Sequence, residues 1–231
     1  MATYVLIHGA AESGSNWQLV ARELRARGHV VIAPDLPCED DEAGFAEYAA
    51  AVIAAIGGRT SPIIVGHSLG GYTATLVAES AAPAALILLS AMIPAPGEPA
   101  GQWWSNTGYS APDRDDRVAD EPMSEEDQYY HDVPQDLAIE DQRQSRGQSG
   151  TPMTAPWPLT RWPEVPTRFI LCTKDRFFPP AFMRRVVADR LPGVIPDEIA
   201  AGHMPILSRP VELAELLDGY ARETDGAKRA G

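Results

Sequence analysis

The sequence predicts an α/β protein, a mostly parallel sheet with helices on both faces and a lid-like insertion. Three observations carry this. Short apolar, β-branched runs alternate with amphipathic helical stretches at both ends of the chain. The runs are apolar almost throughout rather than at every second residue, which is the pattern of strands buried on both faces. One long stretch, about residues 91–166, breaks the alternation. A chain of 231 residues suits one full-sized domain and is short for two large ones, so a single domain over 1–231 is expected.

Taken in order, Tyr4 to Ile7 reads as a strand. A helical pattern over Trp17, Leu19, Val20, Leu24 and Arg25 stops at Gly28, and His29 to Ala33 forms the next strand. A helix over Phe45 to Ile56, a strand Ile63 to Val65, a helix from about Gly70 to Ser80 and a strand Ala85 to Leu89 continue the alternation. From Ala91 to about Pro166 come prolines, the paired Trp103 and Trp104, an acidic run over Asp113 to Asp127 and a helical piece near Leu137 to Ser145. An aromatic-rich insertion without strand pattern fits a lid over the C-terminal edge of the strands, where open α/β sheets bind ligands. Helical side-packing that never moves is the alternative. The alternation resumes with a strand Arg168 to Cys172, a helix Ala181 to Leu191, a short strand near Val194 to Ile199 and a closing helix Val211 to Tyr220; the last nine residues are expected to fray.

Charge narrows the function classes. Nineteen basic against 32 acidic residues give a net charge of -13, which repels nucleic-acid phosphates and anionic membrane surfaces. A solvated, soluble surface explains the acidic excess. Cys38 and Cys172 lie far apart without a CxxC or Cys/His cluster, so both are expected as free thiols, with no metal. No organic cofactor is implied either, because no dinucleotide-type GxGxxG is present. The N-terminus has no basic segment before its short apolar run, and no run reaches the ~18 apolar residues of a membrane span. A cytoplasmic protein acting on a small-molecule substrate, monomeric or homodimeric, is expected.

The chemistry is concentrated in VGHSLGGYTA, Val65 to Ala74, where Gly66 and Gly70 flank Ser68 at two residues' distance in a GxSxG pattern. A sharp strand-to-helix turn crowds those two positions, so side chains there would clash. Chance gives a serine both glycines at a frequency of about 0.005 at average glycine usage, and here a strand precedes and a helix follows. A serine hydroxyl needs a base to act as a nucleophile, and the base needs an orienting carboxylate. His203, in AAGHMPIL before the closing helix, and Asp175, in CTKDRFFPP after a strand, meet that need in the chain order Ser, Asp, His. His67 is expected to point away from the hydroxyl, while His8 ends a strand, His29 opens one and His131 lies in the insertion as a surface residue or a substrate contact. Asp35, in APDLP, reads as a turn former and a reserve for Asp175. An oxyanion would require two amide donors, worth about 3 kcal/mol each. Leu69 and Ala10, the latter in the loop HGAAESGSNW, are the candidates.

These segments, VLIHGAAESGSNW, VGHSLGGYTATLVA, TKDRFFPPAFMRRV and AGHMPILSRPVELAELL, resemble the α/β-hydrolase fold family, in particular its compact subgroup of plant methylesterases and hydroxynitrile lyases. They span both ends of the chain and leave the insertion unmatched. The resemblance implies Ser68, Asp175 and His203 as a catalytic triad with the Ala10 and Leu69 amides as oxyanion hole. It also implies where reaction type is decided: lyases of the family carry a threonine after the first-strand histidine and a lysine after the catalytic histidine, and this chain has Gly9 and Met204 there. Neither supplies the polar group, so ester hydrolysis through an acyl-enzyme is favoured. Trp103, Trp104, Tyr129, Tyr130 and Met204 are the candidates to line a pocket for a small, largely apolar substrate. A carbon-carbon bond hydrolase, a natural-product tailoring enzyme and a ligand-binding receptor on the same scaffold remain open alternatives.

Overall fold

The apolar runs become the strands β1 (Thr3–Ile7), β2 (Val30–Ile32), β3 (Ile63–His67), β4 (Ala85–Leu89), β5 (Thr167–Cys172) and β6 (Asp197–Ile199) in a computed structural model that describes residues 1–109 and 123–230. They form one six-stranded sheet in the order β2-β1-β3-β4-β5-β6, and every pairing is parallel. Successive residues point to opposite faces, and each face has its own core. Val5, Ile7, Ile64, Leu86, Leu88, Phe169 and Leu171 pack under helices α2 (Phe45–Ile56), α3 (Gly70–Ala81) and α7 (Pro180–Arg190). Tyr4, Leu6, Ile63, Val65, Ile87 and Ile170 pack on the other side, under α1 (Gln18–Ala26), the short α8 (Pro205–Ser208) and α9 (Pro210–Ala230). Burial on both faces is why these strands read as apolar throughout.

The chain enters the sheet at an inner strand. From β1 it moves outward to β2, then returns across β1 to β3 and proceeds the other way through β4, β5 and β6. Connections leaving β1 and β3 therefore diverge, and the carboxyl ends of these neighbours open a crevice that loops do not cross. Every predicted site residue of the sheet follows the end of β1, β3, β5 or β6.

Helices follow their expected bounds closely, with three differences in the elements as a whole. The second strand is three residues long, Val30–Ile32, rather than five, and the last strand covers only Asp197–Ile199 of the expected Val194 to Ile199. Helix α9 continues to Ala230, through eight of the nine residues expected to fray. Good helix formers extend it beyond Tyr220, and Arg222 pairs with Asp218 one turn earlier.

The insertion carries α4 (Ala100–Asn106), a π-helical turn Glu126–Tyr130, α5 (Gln135–Arg143) and α6 (Thr151–Thr154). The acidic run expected over Asp113 to Asp127 lies outside the described residues up to position 122. Both flanks of the insertion are built into the main core. Trp103 and Trp157 are fully buried, the first donating its indole N–H to the Ile93 carbonyl and the second to Thr75 Oγ1. Buried Glu98 accepts from both terminal guanidinium nitrogens of Arg190 on α7, and from Tyr72 on α3 and Asn106 on α4. That bidentate, hydrogen-bonded arrangement is the geometry in which a buried carboxylate is tolerated. Among the described residues no helix is long and apolar enough to cross a membrane.

Gly71, one residue beyond the GxSxG pattern, is fixed more tightly than either patterned glycine. A Cβ there would lie 2.2 Å from the Met92 carbonyl oxygen, a backbone atom that cannot rotate aside. Gly71→Ala is expected to lower the free energy of unfolding by about 3 kcal/mol, seen as a lower urea midpoint at unchanged slope.

Candidate active site

Local sterics place Ser68. The turn between β3 and α3 gives it φ +51°, a left-handed conformation that non-glycine residues enter at a cost. A Cβ on Gly66 would come within 2.6 Å of the Ala74 Cβ, and one on Gly70 within 2.6 Å of the His8 carbonyl oxygen, so the helix and β1 can approach only because both positions lack side chains. The hydroxyl is thereby held at the crevice between β1 and β3 and remains partly accessible.

His203 and Asp175 arrive from the ends of β6 and β5. His203 Nε2 lies 3.0 Å from Ser68 Oγ, and its Nδ1 lies 2.8 Å from Asp175 Oδ2. A carboxylate only accepts, so Nδ1 donates to Asp175 and the Nε2 lone pair faces the serine hydroxyl. Asp175 is buried and fully partnered: Oδ1 accepts the amides of Phe177 and Phe178 at 2.9 and 2.8 Å, and Oδ2 also accepts the Ser90 hydroxyl at 2.5 Å. Ser90, just past the end of β4, has φ +39°. Sequence reasoning missed it; its position one residue beyond a strand next to β5 was the available signal.

Ala10 and Leu69 both border the cavity in front of Ser68. In the β1 loop the neighbouring amides are engaged, Gly9 with Glu12 Oε2 at 2.7 Å and Ala11 with Gln148 Oε1 at 3.3 Å. The Ala10 amide lies between them. The Leu69 amide stands at the start of α3, where the first N–H groups of a helix have no intrahelical acceptor.

The cavity has a volume of about 260 Å³. Its apolar wall consists of Met92, Trp104, Tyr129, Met153, Phe177 and Met204, and its polar wall includes Glu12, Asn16, Tyr130 and Asp141. Of the pocket residues read from the sequence, Trp104, Tyr129, Tyr130 and Met204 are on it. Trp103 is not: its ring is fully buried against Phe178 and Phe182, because adjacent residues of α4 point about 100° apart and only one can face the cavity. Met92, Phe177, Glu12 and Asp141 were missed, having no motif of their own. Asp141 accepts from Tyr130 and Asn16, and burial raises its pKa above the usual carboxylate value.

The other histidines and Asp35 have different partners. His8 accepts the Leu36 amide on Nε2 and donates from Nδ1 to the Gly9 carbonyl. His67 turns away from the serine hydroxyl toward Glu12 and the His203 carbonyl. His131 is half-buried beside a separate surface hollow with Arg176 and Asp127. Asp35 accepts the Gly14 amide at 2.8 Å, fixing a turn. Cys38 and Cys172 are buried free thiols. Among the described residues no group of three or more His, Cys, Asp or Glu side chains is arranged to hold a metal ion.

A parallel sheet with a serine on the turn after β3, and a carboxylate and histidine after later strands, defines the class of α/β hydrolases. The alpha/beta hydrolase family model matches residues 4–216, and the chain belongs to that family. Methylesterase 7 of Arabidopsis thaliana is 25% identical over 252 residues, covering 94% of this chain and 97% of that one. A pyrethroid hydrolase of Sphingobium wenxiniae is 27% identical, covering 94% and 86% of the two chains. Among solved structures, polyneuridine aldehyde esterase superposes with a TM-score of 0.78 at 21% identity over 96% of this chain and 99% of its own, a likeness of fold.

Proposed function

We propose that the protein is a carboxylic ester hydrolase that acts through an acyl-enzyme on Ser68. The observation that carries this reading is the hydrogen-bonded series Ser68, His203, Asp175 opening on a cavity with an apolar wall. Relatives named methylesterase and pyrethroid hydrolase, aligned over nearly the whole chain, support the ester as substrate class.

In the proposed reaction His203 Nε2 takes the Ser68 proton as Oγ attacks the ester carbonyl, and Asp175 stabilises the imidazolium that forms. The Ala10 and Leu69 amides receive the developing oxyanion. Collapse of the tetrahedral adduct expels the alkoxide, which leaves as alcohol with the proton from His203. A water then repeats the sequence on the acyl-enzyme, releasing the acid and restoring Ser68. Gly9 and Met204 favour hydrolysis over lyase chemistry: neither offers a polar group to a cyanohydrin, and a side chain at Gly9 would crowd Ser68, with Cβ to Cβ 3.1 Å. A cavity of about 260 Å³ suits a small substrate, since sites for drug-sized ligands run from about 300 Å³ upward.

The test is hydrolysis of short-chain p-nitrophenyl esters, combined with intact mass after fluorophosphonate treatment. One adduct per chain, mapped to Ser68, is expected; turnover without labelling of Ser68 defeats the proposal. Ser90 gives a finer check. Ser90→Ala removes one of the donors to Asp175 and is expected to lower kcat about tenfold at nearly unchanged KM, read from initial rates with the same esters.

A further inference from the structure

The proposed reaction makes no use of one buried ionic group behind the catalytic residues. Glu12, in the loop after β1, borders the cavity, yet its carboxylate is turned into the protein. Its Oε2 accepts the Gly9 amide at 2.7 Å, and its two oxygens stand 3.4 and 3.5 Å from His67 Nδ1. His67, the residue before Ser68, is fully buried, and its Nε2 lies 2.9 Å from the His203 carbonyl oxygen. A carbonyl only accepts, so Nε2 carries a proton; a carboxylate opposite Nδ1 favours a second proton there. The ring is then an imidazolium held between an anion and a carbonyl dipole.

Electrostatics agree with that geometry. Burial pushes the His67 pKa down, but the Glu12 carboxylate and the His203 carbonyl hold it above the usual histidine value. Burial pushes Glu12 up, but His67, His8 and the Gly9 amide together more than offset it, keeping the carboxyl below the usual range. His8, Tyr130, Asp141 and Asp175 are further titratable groups that act on the pair, while the rings of Trp17 and His203 pack against His67. An ion pair this buried is a poor stabilising device, because desolvation offsets much of its attraction. What its hydrogen bonds share is their destination. Gly9 adjoins Ala10, His67 adjoins Ser68, and the last bond ends on the backbone of His203 itself.

We infer that Glu12 and His67 form a positioning pair that keeps the loop bearing the Ala10 amide, the turn bearing Ser68 and the loop bearing His203 in mutual register; this rests on the ester-hydrolase reading of the same site. Asp175 orients the His203 ring, and the pair fixes the backbone from which that ring projects. Its effect falls on the reacting geometry, hence on kcat rather than KM.

The experiment uses the full chain with Glu12→Gln, His67→Gln and the double variant. Glutamine at 12 keeps an acceptor for the Gly9 amide without the charge; glutamine at 67 keeps a donor for the His203 carbonyl. Turnover of a short-chain p-nitrophenyl ester is normalised to the fraction of chains labelled by a fluorophosphonate. Each single variant is expected to lower kcat about 10- to 100-fold with KM within about twofold, and the double variant to lose no more than the worse single one. Unchanged kcat in both single variants overturns the inference, as does a raised KM at unchanged kcat, which would make Glu12 a substrate contact. Losses that multiply in the double variant overturn it too, since the groups would then act separately. Histidine-selective ¹⁵N NMR of the wild type gives a readout that no variant's folding affects: His67 is expected to be doubly protonated at neutral pH, and a neutral ring overturns the inference. Failure of the ester-hydrolase reading shows up elsewhere, as a wild type that neither turns over the ester nor takes the label.

Discussion

Ser68→Ala is expected to lower kcat for a short-chain ester by roughly four to six orders of magnitude while the protein folds normally. The size follows from what is lost. In the proposed reaction, without Oγ no acyl-enzyme would form and His203 would have no hydroxyl proton to accept; only the proposed oxyanion amides of Ala10 and Leu69 and the cavity would remain to assist direct attack by water. The fold should be unaffected, because alanine tolerates the strained φ of +51° about as well as serine, and among the described residues Ser68 Oγ bonds only to His203. The measurement pairs initial rates with a fluorophosphonate adduct by mass. Retained turnover in Ser68→Ala would show that the esterase activity arises elsewhere.

Asp175→Asn should cost about 10⁴-fold in kcat, for a reason visible in its hydrogen bonds. All groups around the carboxylate donate to it: the Phe177 and Phe178 amides on Oδ1, and Ser90 with His203 on Oδ2. The backbone amides cannot turn, so the amide oxygen of an asparagine must face them, and its NH₂ must face Ser90 and His203. The hydroxyl of Ser90 can rotate and accept. His203 can adapt only by moving its proton from Nδ1 to Nε2, and in that tautomer it cannot take a proton from Ser68. Near-native melting temperature with a collapsed kcat is the expected pair of results. A loss below tenfold would mean that Asp175 does not set the tautomer.

These expectations combine residues that were legible in the sequence with contacts that were not. Ser68 was legible because its constraint is local: glycines at Gly66 and Gly70 are demanded within one turn by Ala74 and by the backbone of β1. The order of Ser68, Asp175 and His203 along the chain followed from strands readable as apolar runs, and the structure brings the three within hydrogen-bonding distance. Trp103 and Trp104 show the limit. Both are aromatic, adjacent and in the insertion, but which of them faces the cavity depends on how α4 is rotated against Phe178 and Phe182, and no local pattern encodes that rotation. Ser90 and Glu12 have no motif because their partners lie far along the chain: Asp175 is 85 residues from Ser90, and His67 is 55 residues from Glu12.

By itself, then, the sequence determined the α/β class, the near-complete strand and helix succession and the serine turn, all of which depend on the period of apolar residues and on sterics within a few positions. The tertiary structure alone decided which aromatic ring lines the cavity, what holds the Asp175 carboxylate and where His67 points. Those are contacts between segments joined only by the sheet's order, and they exist because β1, β3, β4, β5 and β6 end side by side on one edge.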